Sequence, residues 1–323
     1  MNGPDRKLWL ERLGADVDNL RAVFELGAVS PATALSMAAT LGDFWEARGE
    51  YTEASAHLDA ALAASPEPSR ARADALQAAG LVGLLQGDRQ AAARYTDEAL
   101  LLSRNLGDAE DEALCLQQLG QIATQANDLG AAERFVTDAL AIAVEHDYPQ
   151  IQALCQWRLG LLAVRNEAFD AAKTRFEAGL DISSRLGDSA SVATAQLMLG
   201  NIALREGRLD EARTRLRESL DFHRQSGSSR SLAHVLESLA AAALLQGQTE
   251  RAQRLAGAAD GLRQRIGLAT SNREQHDFGS LPLDSLRGDS DSNQAWLVGA
   301  AMSRDEAIGY ALDEFERTLA TSG

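Results

Sequence analysis

The sequence predicts an all-α protein built as an array of antiparallel helix pairs, and three observations carry that reading. Small residues recur at a spacing of forty: Gly80, Gly120, Gly160 and Gly200, with Ala240 in the fifth place. An alanine follows each of them by twelve residues, at Ala92, Ala132, Ala172, Ala212 and Ala252. Around these points the apolar residues fall at helical spacing. Leu116, Leu119, Ile122 and Ala123 make one stripe, and Phe135, Val136, Ala139 and Leu140 make another. No apolar alternation of period two competes with them.

Residues 7–28 and 31–47 read as amphipathic helical stretches that cap the array, the first holding Trp9, Leu13, Leu20 and Phe24. Ser30-Pro31 suits a helix start, with proline in the first turn. Residues 45–62 hold an early copy of the unit, Arg48-Gly49-Glu50-Tyr51 followed by Ala54, Leu58, Ala61 and Leu62. Each later unit is a helix, a short turn and a second helix, each helix of roughly 15 residues or about 22 Å. The turns are Gly87-Asp88, Asn127-Asp128 and Gly207.

Leu106-Gly107-Asp108 recurs as Leu186-Gly187-Asp188. Its glycine suits the left-handed position after a helix, and its aspartate can cap the next one. At His146-Asp147-Tyr148-Pro149 the same break uses Asp, which tolerates the left-handed region, and Pro, which opens the next helix. After residue 267 the beat is lost. Ser303-Arg304-Asp305-Glu306 is a capping-box pattern leading into Ala307, Ile308, Ala311, Leu312 and Phe315. The expected organisation is therefore N-terminal capping helices over 1–47 and the repeat array over 48–267. A loop-rich connection follows over 268–294, and a C-terminal capping helix over 295–323.

Glycine inside a helix costs about 1 kcal/mol relative to alanine, so the repeated glycines need a reason. Either the backbone has positive φ there, or another helix comes too close for a side chain. Ala240 in the fifth place decides for close approach, because alanine is small but does not favour positive φ.

Composition excludes several functions. The chain has 323 residues, 31 Lys plus Arg against 47 Asp plus Glu, and a net charge of −16. No basic stripe for a phosphate backbone is visible, which argues against direct nucleic-acid binding. No apolar run reaches about 18 residues, so no membrane span is expected. The N-terminus lacks an apolar signal core and only Cys115 and Cys155 occur, so the expected location is the cytoplasm. Equivalent positions on neighbouring helices lie too far apart for a disulfide, which makes both cysteines buried packing residues, with redox sensing as the alternative.

The small-residue positions resemble the tetratricopeptide repeat: Leu119, Gly120, Ala132, Val136 and Ala139 in one unit, Leu199, Gly200, Ala212, Leu216 and Ser219 in another. Two departures are the missing Trp, Tyr and helix-ending Pro, and a unit of forty residues rather than thirty-four. The flanks are more specific. Trp9-Leu10-Glu11-Arg12-Leu13 with Asp18-Asn19-Leu20-Arg21-Ala22 resembles the opening of the C-terminal repeat region of bacterial STAND-type regulators, which include LuxR-type, MalT-like and SARP-like transcriptional activators. Arg254-Leu255-Ala256-Gly257-Ala258-Ala259-Asp260 resembles the closing segment of that region, and Trp296 with Gly299-Ala300-Ala301-Met302-Ser303 resembles its last helix.

The resemblance implies a right-handed superhelical solenoid. It also implies a sensor or scaffold arm that works with an NTPase switch domain and a helix-turn-helix, in cis or in trans. The alternative is a free-standing scaffold that tethers two proteins without sensing.

No phosphate-binding glycine loop, His-Glu-x-x-His pair or Gly-x-Ser-x-Gly elbow occurs, so no catalytic residue, metal ligand or cofactor is assigned. A curved helical array binds partners on its concave side, which its first helices line. Positions three before, one after and five after each glycine are taken as the exposed ones. They give Gln117, Gln121 and Gln125, then Trp157, Leu161 and Arg165, then Asn201 and Arg205, with Glu237 continuing the line. Amides can bond a peptide backbone, Trp157 offers an apolar platform, and the arginines can pair a carboxylate. The expected ligand is a protein or peptide segment, such as a peptide C-terminus. The Lys/Asn pattern of carboxylate-clamp chaperone adaptors is missing.

Overall fold

Side-chain caps fix where each helix begins, and they recur with the repeat. Asp88, Asp108, Asp128 and Asp188 each accept a hydrogen bond from a backbone N–H three residues on, at 2.9–3.2 Å. Loss of such a cap typically costs about 1 kcal/mol. Gly107 and Gly187 lie in the left-handed region at φ +68° and +69°, and Asp147 does so at +55°, as their sequence positions predict. A computed structural model describes residues 6–25, 29–42, 44–45, 49–226, 229–266, 286 and 294–321. Among these residues the regular structure is α-helical, in sixteen helices with no strand. The chain divides into two compact units, Met1–Leu162 and Ala163–Gly323.

The first unit opens with α1 (Arg6–Ala15), α2 (Val17–Glu25) and α3 (Pro31–Thr40). Ser30 caps α3 by accepting from the Thr33 N–H at 3.2 Å, with Pro31 in its first turn. Where one amphipathic stretch was expected over 7–28, the backbone turns at Asp16 and makes two helices. Leu13, Leu20 and Phe24 pack on the core, whereas Trp9 stays half exposed with the Arg12 guanidinium over its ring. The end is tied down by a two-armed pair from Arg21 to Glu53 of α4 (Tyr51–Ala64), both bonds 2.7 Å. Phe24 and Trp45 stack on His57 at 4.4 and 5.6 Å between centroids.

The repeat pairs follow as α5 (Arg70–Gln86) on α6 (Arg89–Leu106) and α7 (Ala109–Gln125) on α8 (Leu129–Glu145), after which α9 (Pro149–Arg165) begins the next. Gly120 shows why a small residue is needed. A Cβ there would stand 2.5 Å from Val136 Cγ2 and 3.4 Å from the Ala132 carbonyl oxygen. Val136 is β-branched and buried, so it has no easy rotamer to retreat into. Close approach, not positive φ, explains the glycine.

The second unit repeats the scheme with α10 (Phe169–Leu186), α11 (Ser189–Arg205), α12 (Leu209–Ser226), α13 (Ser229–Leu245) and α14 (Thr249–Arg265). A Cβ on Gly200 would lie 3.0 Å from Leu216 Cδ2 and 3.5 Å from the Ala212 carbonyl, the contacts of Gly120 two pairs later. The expected loop over 268–294 lies outside the described residues, except Leu286 and Gln294.

The final segment forms two helices, α15 (Gln294–Ala301) and α16 (Arg304–Thr321), divided where Ser303 starts a new cap. The Glu306 N–H bonds Ser303 Oγ at 3.3 Å, and the Ser303 N–H returns the bond to the Glu306 carboxylate at 2.7 Å. Gly257 and Gly261 of α14 face the backbone of α15 so closely that a Cβ would strike the Trp296 and Ala300 carbonyls. α16 touches α12, α13 and α14 and buries Ala307, Ile308 and Ala311.

Two outcomes follow from this packing. Gly120→Leu should cost about 1–3 kcal/mol by overpacking, whereas exposed Thr137→Ala should stay within about 0.5, as compared by urea denaturation. Deleting 294–323 should uncover Leu255, Ala259 and Leu262, now 0–2% exposed, and produce aggregation in light scattering. A shortened chain of unchanged melting temperature and size would show that α15 and α16 cover nothing essential.

Candidate functional site

Successive first helices of the first unit lie side by side: α5 contacts α7, and glutamines bridge them. Gln118 of α7 donates to the Gln77 carbonyl of α5 at 3.2 Å, and the Gln77 amide reaches Cys115 Sγ at 3.7 Å. The next bridge, from α9 to α7, is made by an arginine. Arg158 Nη2 donates to Gln121 Oε1 at 2.6 Å. Gln117 also turns its amide oxygen to this guanidinium and accepts from Nε and Nη2, the latter at 2.6 Å. Trp157 stands next to it, its ring centroid 5.9 Å from the guanidinium carbon. The indole N–H is buried and finds no acceptor among the described residues.

The electrostatics of this cluster are unusual for the chain. Arg21, Arg72, Arg215 and Arg263 each have a carboxylate partner, Glu53, Glu98, Glu211 and Glu237 respectively. Arg158 has two neutral amides and, among the described residues, no carboxylate at ion-pair distance. Burial lowers its guanidinium to about 10, opposed only by the nearby Cys155 thiol. It remains charged at neutral pH.

The candidate residues divide between the two units. In the first, Gln117, Gln121 and Trp157 gather around Arg158, while Gln125 lies exposed at the end of α7. Gln117 was expected to be exposed and is instead 7% exposed. The neighbouring first helix covers it, because these helices stack closely along the array. In the second unit Asn201 is half-buried on α11 and Arg205 lies 4.7 Å from the Phe169 ring. Arg165 is exposed at the end of α9. Glu237 is committed to a two-armed pair with buried Arg263, 2.7 Å for one arm. That pair ties α13 to α14, so Glu237 serves packing.

Arg158 was missed because it stands two residues before Gly160, a position expected to face inward. The signal was present. The same position holds Ala78, Gln118, Met198 and Ser238 in the other units, and only here a charge.

Other clusters are explained by structure. An open pocket of about 630 Å³ is lined by Glu250, Arg251, Arg254, Tyr310 and Asp313. Its arginines are engaged, Arg254 with Glu250 at 2.5 Å and Arg251 with the Tyr310 and Ala311 carbonyls at 3.3 Å. Burial pushes the Cys115 and Cys155 thiols up to about 12, which removes the thiolate that redox chemistry needs. Among the described residues no group of three His, Cys, Asp or Glu could hold a metal ion, and no helix is long and apolar enough to cross a membrane.

With this geometry in view, comparison with known proteins decides the family. The sequence model of the MalT-like TPR region matches residues 37–276. The chain belongs to the MalT-like TPR family. Among solved structures, the chain is similar to a STAND signal-transduction ATPase with a tetratricopeptide repeat sensor from Pyrococcus horikoshii, at 15% identity and a TM-score of 0.61. The match covers 81% of this chain and 42% of that one, so this MalT-like chain spans less than half of the ATPase. The apo form of RapI is similar at 14% identity and a TM-score of 0.58, over 88% of this chain and 99% of that one. NprR in complex with its cognate peptide NprX is similar at 14% identity and a TM-score of 0.53, over 97% of each chain. At these identities the likeness concerns the fold. No curated protein matches in sequence.

A second titratable cluster lies at the start of the repeat pairs. Asp111 of α7 is pushed up to about 6, first by burial and then by the charges of Asp108 and Asp74, against a weaker opposing pull from Arg70. The folded chain therefore holds this proton more tightly than the unfolded chain does. Its contribution is favourable below the ordinary carboxylate range and is lost as pH rises through about 6. Asp111→Asn should then match wild type near pH 3.5 and melt higher near pH 7.5, the difference opening between about pH 4 and 6. A difference that stays constant across that window, followed by calorimetry, would mean the carboxyl does not titrate in it.

Proposed function

We propose that this MalT-like chain is a protein- or peptide-binding regulatory module, the sensor or scaffold arm of a bacterial signal-transduction or transcriptional regulator, without catalytic activity of its own. The carrying observation is the polar cluster on adjacent first helices, where Gln117, Gln121 and Trp157 surround Arg158. Such a surface offers amide groups to a peptide backbone and an aromatic ring to an apolar side chain. Gln125 extends it along α7. Asn201, Arg205 and Arg165 are proposed as a separate polar surface of the second unit. The family supports the regulatory reading, and the fold is one in which NprR is seen with its cognate peptide. The partners we propose beyond the peptide are an NTPase or helix-turn-helix regulator, and the proposed location is the cytoplasm.

The test is capture of partners from host lysate by wild type, Trp157→Ala, Arg205→Glu and, as a control on the outer face of α8, exposed Glu133→Lys. Trp157→Ala should weaken capture about tenfold or more, near 1.4 kcal/mol, because aromatic anchors dominate binding energy. Glu133→Lys should not weaken it. Equal recovery by all four would move binding to another face and favour a scaffold that senses nothing.

A further inference from the structure

Arg158 is the strongest unexplained feature of the first unit. Its Nε and Nη2 hydrogens go to Gln117 and Gln121, but the two hydrogens of Nη1 have no acceptor among the described residues. Two amide oxygens orient a guanidinium without neutralising it. A half-buried cation without a counter-charge is partly desolvated with no opposite charge to offset that cost. A chain with 47 carboxylate side chains places none of them here among the described residues, although it supplies one each to Arg21, Arg72, Arg215 and Arg263. The buried Trp157 N–H is a second donor without a partner, beside the same guanidinium. Both groups are donors, and one of them is charged.

We propose that Arg158, oriented by Gln117 and Gln121 and flanked by Trp157, receives a carboxylate of the bound peptide. The proposal rests on the peptide-binding reading and names the group that this site recognises. A carboxylate takes two parallel N–H bonds from a guanidinium, and its charge is the one the site lacks. Phosphate would carry more charge than one guanidinium balances, in a site with no second cation among the residues named. A peptide carboxylate has two sources, the C-terminus and an Asp or Glu side chain, and the probes must separate them.

Three probes do so: an N-acetylated dipeptide as the free acid, the same dipeptide as the amide, and N-acetylglutamate α-amide, whose only carboxylate is on the side chain. Each is titrated at constant ionic strength, and the melting temperature is followed because a ligand that binds the folded state raises it. Wild type should respond to at least one acid and not to the neutral amide. The better acid identifies the source. Arg158→Met should melt at the same or a higher temperature without probe, since it removes an unbalanced charge, and should lose at least tenfold in response. Arg158→Lys keeps the charge but not the fork, and should respond at an intermediate level, which serves if the Met variant does not fold.

A lower melting temperature in Arg158→Met with an undiminished probe response would make Arg158 a strut and overturn the proposal. So would a larger response to inorganic phosphate than to either acid. The peptide-binding reading fails separately. If lysate partners are captured equally by wild type and Arg158→Met, that reading stands and the carboxylate assignment falls.

Discussion

The contact on which the rest depends is the near-collision of the two helices in each repeat pair. At Gly120 the first helix comes so close to the second that a methyl group would meet Val136, and at Gly200 a methyl group would stand 3.0 Å from Leu216. A gap of even half an ångström would forfeit a quarter to a half of the dispersion energy across the seam. A Cβ at either glycine would meet the buried Val136 or Leu216 side chain first, with the Ala132 and Ala212 carbonyls at ordinary contact distance behind. Close approach of this kind leaves the two helices of the pair little freedom to shift against each other.

That rigidity sets what the first helices can present. In the first unit α5 and α7 are held side by side, so their facing positions are half-buried and polar residues there must bond across the gap. Gln118 to Gln77 and Arg158 to Gln121 and Gln117 are two solutions of the same problem. The first leaves no charge. The second leaves a half-buried cation with no carboxylate beside it among the described residues.

The ends of the array obey a different constraint. A stacked array exposes an apolar face at each end, and both faces are covered by sequence that does not keep the forty-residue beat. At the N-terminus the Arg21–Glu53 pair and the stacking of Phe24 and Trp45 on His57 hold the cover in place. At the C-terminus the glycines of α14 let α15 press backbone to backbone, a contact with the same logic as the repeat seam.

The sequence by itself determined the helices, their caps and the pairing of helices within a unit. Asp108 and Asp188 cap as their positions demand, Asp147 takes the left-handed turn, and Ser303 with Glu306 forms the box written in their spacing, because these interactions span only three or four residues. It also marked part of the candidate site, since Gln117, Gln121 and Trp157 lie at the positions that the repeat assigns to first helices. It did not reveal that Gln117 is buried, that Glu237 belongs to Arg263, or that Arg158 is the centre of the cluster. Those facts depend on which residue of another helix stands opposite. Partners of that kind lie 26 to 41 residues apart in the chain, beyond the reach of any helical period. Only the tertiary structure brings an arginine to two amides, with no carboxylate beside them among the described residues.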